Sequence, residues 1–145
     1  MMVFPSFAYG FPPRPLKVLV ADDNADTTDS LATLLRMAGC EVEVAYDGAA
    51  VAPAAEEFGP DACVLDVRMP GIDGWEVGRR LRAGVGGDRL LLIALTGVGG
   101  QASADHSAAA GFDHHILKPV AYQEVFSDLA AFVGRTRPVP VPVGS

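Results

Sequence analysis

Along this chain, five short strand-like runs alternate with five helical stretches, the first, second and last of which carry apolar residues at helical spacing. Leu16 to Ala21, apolar apart from one Lys, suits a buried first strand. Leu31, Leu34, Leu35 and Ala38 then fall on one helical face, with Asn24 or Asp26 placed to cap its start and Gly39 to end it. Glu41 to Ala45 alternates charged and apolar residues, the pattern of an edge strand. Asp47-Gly48 turns into a second helical stripe of Val51, Ala54, Ala55 and Phe58, which Pro53 restricts near its start or kinks. A third strand, Ala62 to Leu65, ends on Asp66, and Met69-Pro70-Gly71 breaks the chain before a helix from about Gly74 to Arg82. In that helix Arg79, Arg80 and Arg82 read as one solvated basic face. The glycine-rich loop from Gly84 to Asp88 leads to a fourth strand, Leu90 to Thr96. A helix from about Ala102 to Ala110, poor in large apolar residues, ends at Gly111. His114 to Leu117 forms the fifth strand, and Tyr122, Val125, Phe126, Leu129, Phe132 and Val133 share one face of the last helix.

This alternation predicts an α/β fold: a doubly wound parallel sheet of five strands covered by five helices, in three layers. The expected division is an N-terminal arm over 1–15, a domain over 16–134 and a tail or linker over 135–145. The arm mixes four prolines with Phe4, Phe7, Tyr9 and Phe11 and reads as irregular, its aromatics placed to pack on the domain or a partner; an unstructured leader is the alternative. The Pro/Val alternation from Arg137 to Val143 reads as polyproline-type chain.

With 145 residues, half of them hydrophobic, the chain suits one globular domain. The formal net charge of −7 argues against nucleic-acid binding by this chain itself, because phosphate neutralisation needs a basic face. Cys40 and Cys63 lack metal or redox spacing and read as reduced core thiols, and the arm is neither a signal peptide nor a membrane span, which together suggest a cytoplasmic protein.

In parallel sheets, sites lie beyond the carboxyl ends of the strands. Asp22-Asp23, Asp66, Thr96 and Lys118 end four of the five predicted strands and therefore converge there. Three carboxylates held together need a proton or a cation between them, and hard oxygen ligands select magnesium. Asp66 is then a candidate nucleophile toward a phosphoryl group, giving an acyl phosphate, with Thr96 donating to one phosphoryl oxygen and Lys118 facing another.

In order and spacing, the acidic pair Asp22-Asp23, the run Asp66-Val67-Arg68-Met69-Pro70-Gly71-Ile72-Asp73-Gly74, the strand end Ala94-Leu95-Thr96-Gly97 and Gly111-Phe112-Asp113 leading to Lys118-Pro119 resemble the response-regulator receiver domain of two-component signalling, a CheY-like, flavodoxin-like fold. The resemblance covers roughly Leu16 to Gly134 and implies strand order 2-1-3-4-5. It implies that Asp66 accepts phosphate from the phosphohistidine of a histidine kinase or phosphotransfer protein. It further implies that Mg2+ is held directly by Asp23 and Asp66, through water by Asp22, and by the Arg68 backbone carbonyl. The Lys118-Pro119 bond is expected to be cis, and output is expected through a downstream protein effector, from a monomer or weak dimer without a DNA-binding or catalytic output segment. The segment Gly111 to Val120 looks most like receivers linked to hybrid histidine kinases. Receivers of this family couple phosphorylation to a threonine, here Thr96, and an aromatic ring, where this chain has His115. Being strand neighbours, His114 and His115 point to opposite faces and cannot jointly chelate a metal.

Rival readings are weaker on the same residues. As caps and turns, Asp22, Asp23, Asp66, Thr96 and Lys118 would have to meet by accident. A flavin carrier needs a hydroxyl- and glycine-rich loop where Asp22-Asp23 stand. A magnesium-dependent aspartyl phosphatase needs a second acid two residues after its nucleophile, and that position is Arg68; the chain is thus expected to catalyse its own phosphorylation and slow dephosphorylation rather than turn over an external substrate. A receiver-fold interaction module that is never phosphorylated is the closest alternative.

Overall fold

A computed structural model describes residues 8–9, 14–84, 86–97 and 99–136. Five parallel strands form one sheet: β1 (Lys17–Ala21), β2 (Glu41–Ala45), β3 (Ala62–Asp66), β4 (Leu91–Thr96) and β5 (His114–Leu117), in the order β2-β1-β3-β4-β5. The helices that alternate with them are α1 (Ala25–Met37), α2 (Gly48–Phe58), α3 (Gly74–Ala83), α4 (Gln101–Ala109) and α5 (Tyr122–Thr136). The doubly wound fold and the strand order are as expected, and β2 and β5 are the edges. No helix among the described residues is long and apolar enough to cross a membrane.

Both faces of the sheet are covered, which is why β3 and β4 are buried at every position. Val18, Val20, Val64, Ile93, Leu95 and Ile116 pack against Leu31 and Leu35 of α1 and Val125, Leu129 and Phe132 of α5. Leu19, Ala21, Cys63, Leu65, Leu92 and Ala94 face the other way, against Val51 of α2 and Val77 of α3. Each large aliphatic side chain fully buried in these layers contributes about 1.5–3 kcal/mol relative to exposure. Burial pushes the thiols of Cys40 and Cys63 up to about 12, so both stay protonated packing groups.

The helix starts follow local rules. The Asn24 side chain accepts from the Asp26 and Thr27 amides, so Asn24, not Asp26, caps α1. Asp47 caps α2 and Asp73 caps α3 in the same way, through the amides of Ala50 and Glu76. Pro53 lies inside α2. A 3-10 turn, Gly87–Arg89, occupies the loop before β4, which starts at Leu91 rather than Leu90.

Two readings need correction. Arg79 and Arg80 do form an exposed face, each paired with Glu76 at 3.3 and 3.0 Å, but Arg82 does not belong to it. From the last turn of α3 its guanidinium donates to the carbonyls of Gly87, Leu90 and Gly111 and pairs with Asp113 at 2.9 Å. Its planar fork reaches two loops at once, which a solvated lysine-like role would not require. The arm is also more regular than expected: Ala8–Tyr9 pairs antiparallel with Arg14–Pro15. Arg14 grips the buried carboxylate of Asp61 with both nitrogens, at 2.8 and 2.7 Å, and the Lys17 amide adds a third donor at 2.9 Å. The side chains of Phe4, Phe7, Tyr9 and Phe11 and the tail from Arg137 lie outside the described residues.

Candidate functional site

At the carboxyl edge of the sheet, β1, β3, β4 and β5 each deliver a polar residue to one place. Asp22 follows β1 and is fully buried; its backbone amide donates to Ala45 O, and its Oδ1 accepts from the Asn24 amide at 3.0 Å. Asp66, the last residue of β3, is 3% exposed, and its Oδ1 accepts from the Arg68 amide at 3.1 Å. Lys118, just past β5, places Nζ 3.1 Å from Oδ2 of both acids. Thr96 ends β4, buried, and its carbonyl accepts the Lys118 amide at 2.7 Å. Asp23 is exposed, yet it offers a carboxylate oxygen within 4.8 Å of those of Asp22 and Asp66. The Lys118-Pro119 peptide is cis.

The loop behind Asp66 is held by contact rather than by chance. The Gly74 amide donates to Val67 O at 3.0 Å, and a Cβ on Gly74 would meet the Asp66 carbonyl oxygen at 2.3 Å. On the far side, a Cβ on Gly48 would meet the Ile72 carbonyl at 1.9 Å. Only glycine permits either approach.

Charge is the dominant property of this edge. Burial, first, pushes the Asp66 carboxyl up to about 6; the nearby Asp22 charge adds to this, while the Arg68 amide and Lys118 partly offset it. For Lys118, burial alone would lower the pKa, but its charge pairing with Asp66 and Asp22 outweighs it and the ammonium is held more firmly than usual. Asp22 Oδ2 lies in charge contact with Lys118 but has no oriented hydrogen bond, although it is buried. Three carboxylates against one ammonium, with a buried oxygen short of a donor, make an all-oxygen set that fits a small hard divalent cation.

The two histidines separate as strand neighbours should. His114 faces α5, with Nδ1 3.6 Å from Asp128. His115 faces α4, with Nδ1 3.0 Å from Ser107 Oγ, and Trp75 Nε1 donates to that same hydroxyl at 3.0 Å. The sequence reading named His115 but missed Trp75 and Ser107. The available signal was α4 itself, whose serines at 103 and 107 are one turn apart in a helix without large apolar residues.

A family model described as the response regulator receiver domain matches residues 18–130. The chain belongs to the response-regulator receiver family. This receiver is similar to the response regulator MprA of Mycobacterium avium, with 37% identity over 123 residues, covering 85% of this chain and 53% of that protein. It thus spans about half the length of the curated relatives it matches. Among solved structures, the receiver domain of Francisella response regulator 1452 aligns with TM-score 0.78 and 26% identity, over 86% of this chain and all of that one. The chemotaxis response regulator CheY4 of Vibrio cholerae aligns with TM-score 0.77 and 25% identity, over 82% and 99%.

Proposed function

We propose that this receiver accepts a phosphoryl group on Asp66. The observation that carries the reading is the Lys118 ammonium shared at 3.1 Å between the two buried acids Asp66 and Asp22. The donor is a phosphohistidine on a histidine kinase or phosphotransfer protein. An Asp66 carboxylate oxygen attacks phosphorus, the new O–P bond forms as the P–N bond breaks, and the bonding pair leaves with the imidazole, which takes up a proton. Lys118 then pairs with one phosphoryl oxygen and the Thr96 hydroxyl donates to another. Asp23, Asp66 and the Arg68 carbonyl would hold Mg2+, with Asp22 acting through water, and the ion would supply charge neutralisation there. The acyl phosphate hydrolyses slowly, and no external substrate is turned over.

Output runs through Thr96 and His115 to a downstream protein effector. Two wholly new charge-assisted hydrogen bonds would give roughly 3–6 kcal/mol, against about 5.5 kcal/mol needed to invert a 1:99 equilibrium; because Lys118 already pairs with Asp66 at 3.1 Å, the gain falls below that full range. The net charge of −7 favours protein partners over direct nucleic-acid contact. On this reading the receiver works in the cytoplasm as a monomer or weak dimer. The test is incubation with Mg2+ and a small phosphodonor followed by intact mass. One phosphate adduct is expected in wild type and none in Asp66→Asn; a wild type without adduct overturns the reading in favour of an unphosphorylated interaction module.

A further inference from the structure

Helix α4 is seated unlike the other helices. Its start has no side-chain cap, its buried residues are Ser103 and Ser107, and the Ser103 hydroxyl is buried without a hydrogen-bond partner. No apolar ridge anchors it, so its position depends on a few polar contacts. Those contacts converge on Ser107, which is fully buried. The Trp75 indole can only donate, so Ser107 Oγ is its acceptor at 3.0 Å. The hydroxyl proton is then available to His115 Nδ1, also 3.0 Å away, and in the tautomer that leaves Nδ1 as acceptor the chain of donors runs from Trp75 through Ser107 to His115. The Trp75 ring meanwhile stacks on His106 of α4, with centroids 3.7 Å apart and planes 11° from parallel.

Both ends of this chain are tied to the acidic site. Trp75 follows Gly74, which abuts the Asp66 carbonyl, and His115 lies on the short strand that ends beside Lys118. We propose that Trp75, Ser107 and His115 form a relay that seats α4, and that modification of Asp66 disturbs it. The inference rests on the phosphoacceptor reading for its second half only. Ser107 acts as a positioning residue: it touches neither the carboxylates nor Lys118, but sets where α4 lies over β5.

Two measurements test it. In unmodified protein, amide hydrogen exchange over Gln101–Ala109 should be about tenfold faster in Ser107→Ala than in wild type, with α1 unchanged, as the loss of roughly one net hydrogen bond implies; equal rates would overturn the seating role. Trp75 is the sole tryptophan, so its emission reads the relay directly. With Mg2+ and a small phosphodonor, wild-type emission should change in step with adduct formation followed by intact mass, while Ser107→Ala forms the adduct with that change lost. An adduct in wild type with unaltered emission, or the full change in Ser107→Ala, overturns the relay and leaves the phosphoacceptor reading standing. Absence of adduct in wild type overturns that reading and the switching half with it, while the exchange result still decides the seating.

Discussion

Strand β3 is bracketed by two aspartates built in opposite ways. Asp61, just before its first residue, is one carboxylate met by three donors, two from Arg14 and one from the Lys17 amide. Asp66, its last residue, shares one ammonium with Asp22 and lies in a group of three acids. At the amino edge donors saturate the charge; at the carboxyl edge charge exceeds the donors. A buried acid met by three donors fastens the chain and keeps little accepting capacity for anything else. An undersaturated one weakens the fold and attracts a cation or an electrophile. The same residue type on one strand thus fastens the fold at one end and, on the proposed reading, accepts the phosphoryl group at the other.

Substitution should separate the two by sign. Asp61→Ala leaves Arg14 and the Lys17 amide without their acceptor and is expected to lower the unfolding free energy by about 2–3 kcal/mol in urea, with adduct formation per folded molecule intact. A loss no larger than that of Arg14→Ala would break the comparison. Asp66→Asn removes a charge that its surroundings disfavour, and is expected to raise stability by about 1–2 kcal/mol at pH 7 without divalent cations. A destabilised Asp66→Asn would mean that the carboxyl edge is as satisfied as the other.

The pH dependence sharpens the contrast. Because the folded Asp66 carboxyl is raised from 3.8 to about 6, the native state binds its proton more tightly than the unfolded chain does. Its contribution to stability is therefore fully present below about pH 4, is lost as pH rises to about 6, and stays lost above. Urea midpoints for metal-free wild type should show that fall relative to Asp66→Asn, and parallel curves would contradict it. The smallest effect is Arg14→Ala, about 1 kcal/mol or less, since its side chain is 44% exposed and water replaces much of the pairing.

The carboxyl edge was legible because a parallel sheet collects whatever stands at its strand ends, so Asp22, Asp66, Thr96 and Lys118 needed only correct strands to be brought together. The amino edge was not, because Arg14 and Asp61 are separated by 47 positions and the arm's prolines mask its pairing. Arg82 was misread because a helical arginine looks the same whether its fork meets water or, 29 residues on, the Gly111 carbonyl. Ser107 escaped notice for a related reason: a small polar residue in a helix carries no mark of which side it faces until tertiary packing decides.

One short bond has a wider consequence. The Lys118 amide donates to the Thr96 carbonyl at 2.7 Å, so the two residues are held together by the sheet itself, like the fixed jaws of a caliper. That spacing is set by β5 pairing with β4, in which Thr96 stands opposite Leu117, and not by the outer face of the helix between them. Rewriting the exposed positions of α4, such as Gln101, Asp105 and Ala108, can therefore change which partner the domain meets while the jaws keep their setting, whereas the buried Ser107 and Phe112 stay tied to the fold.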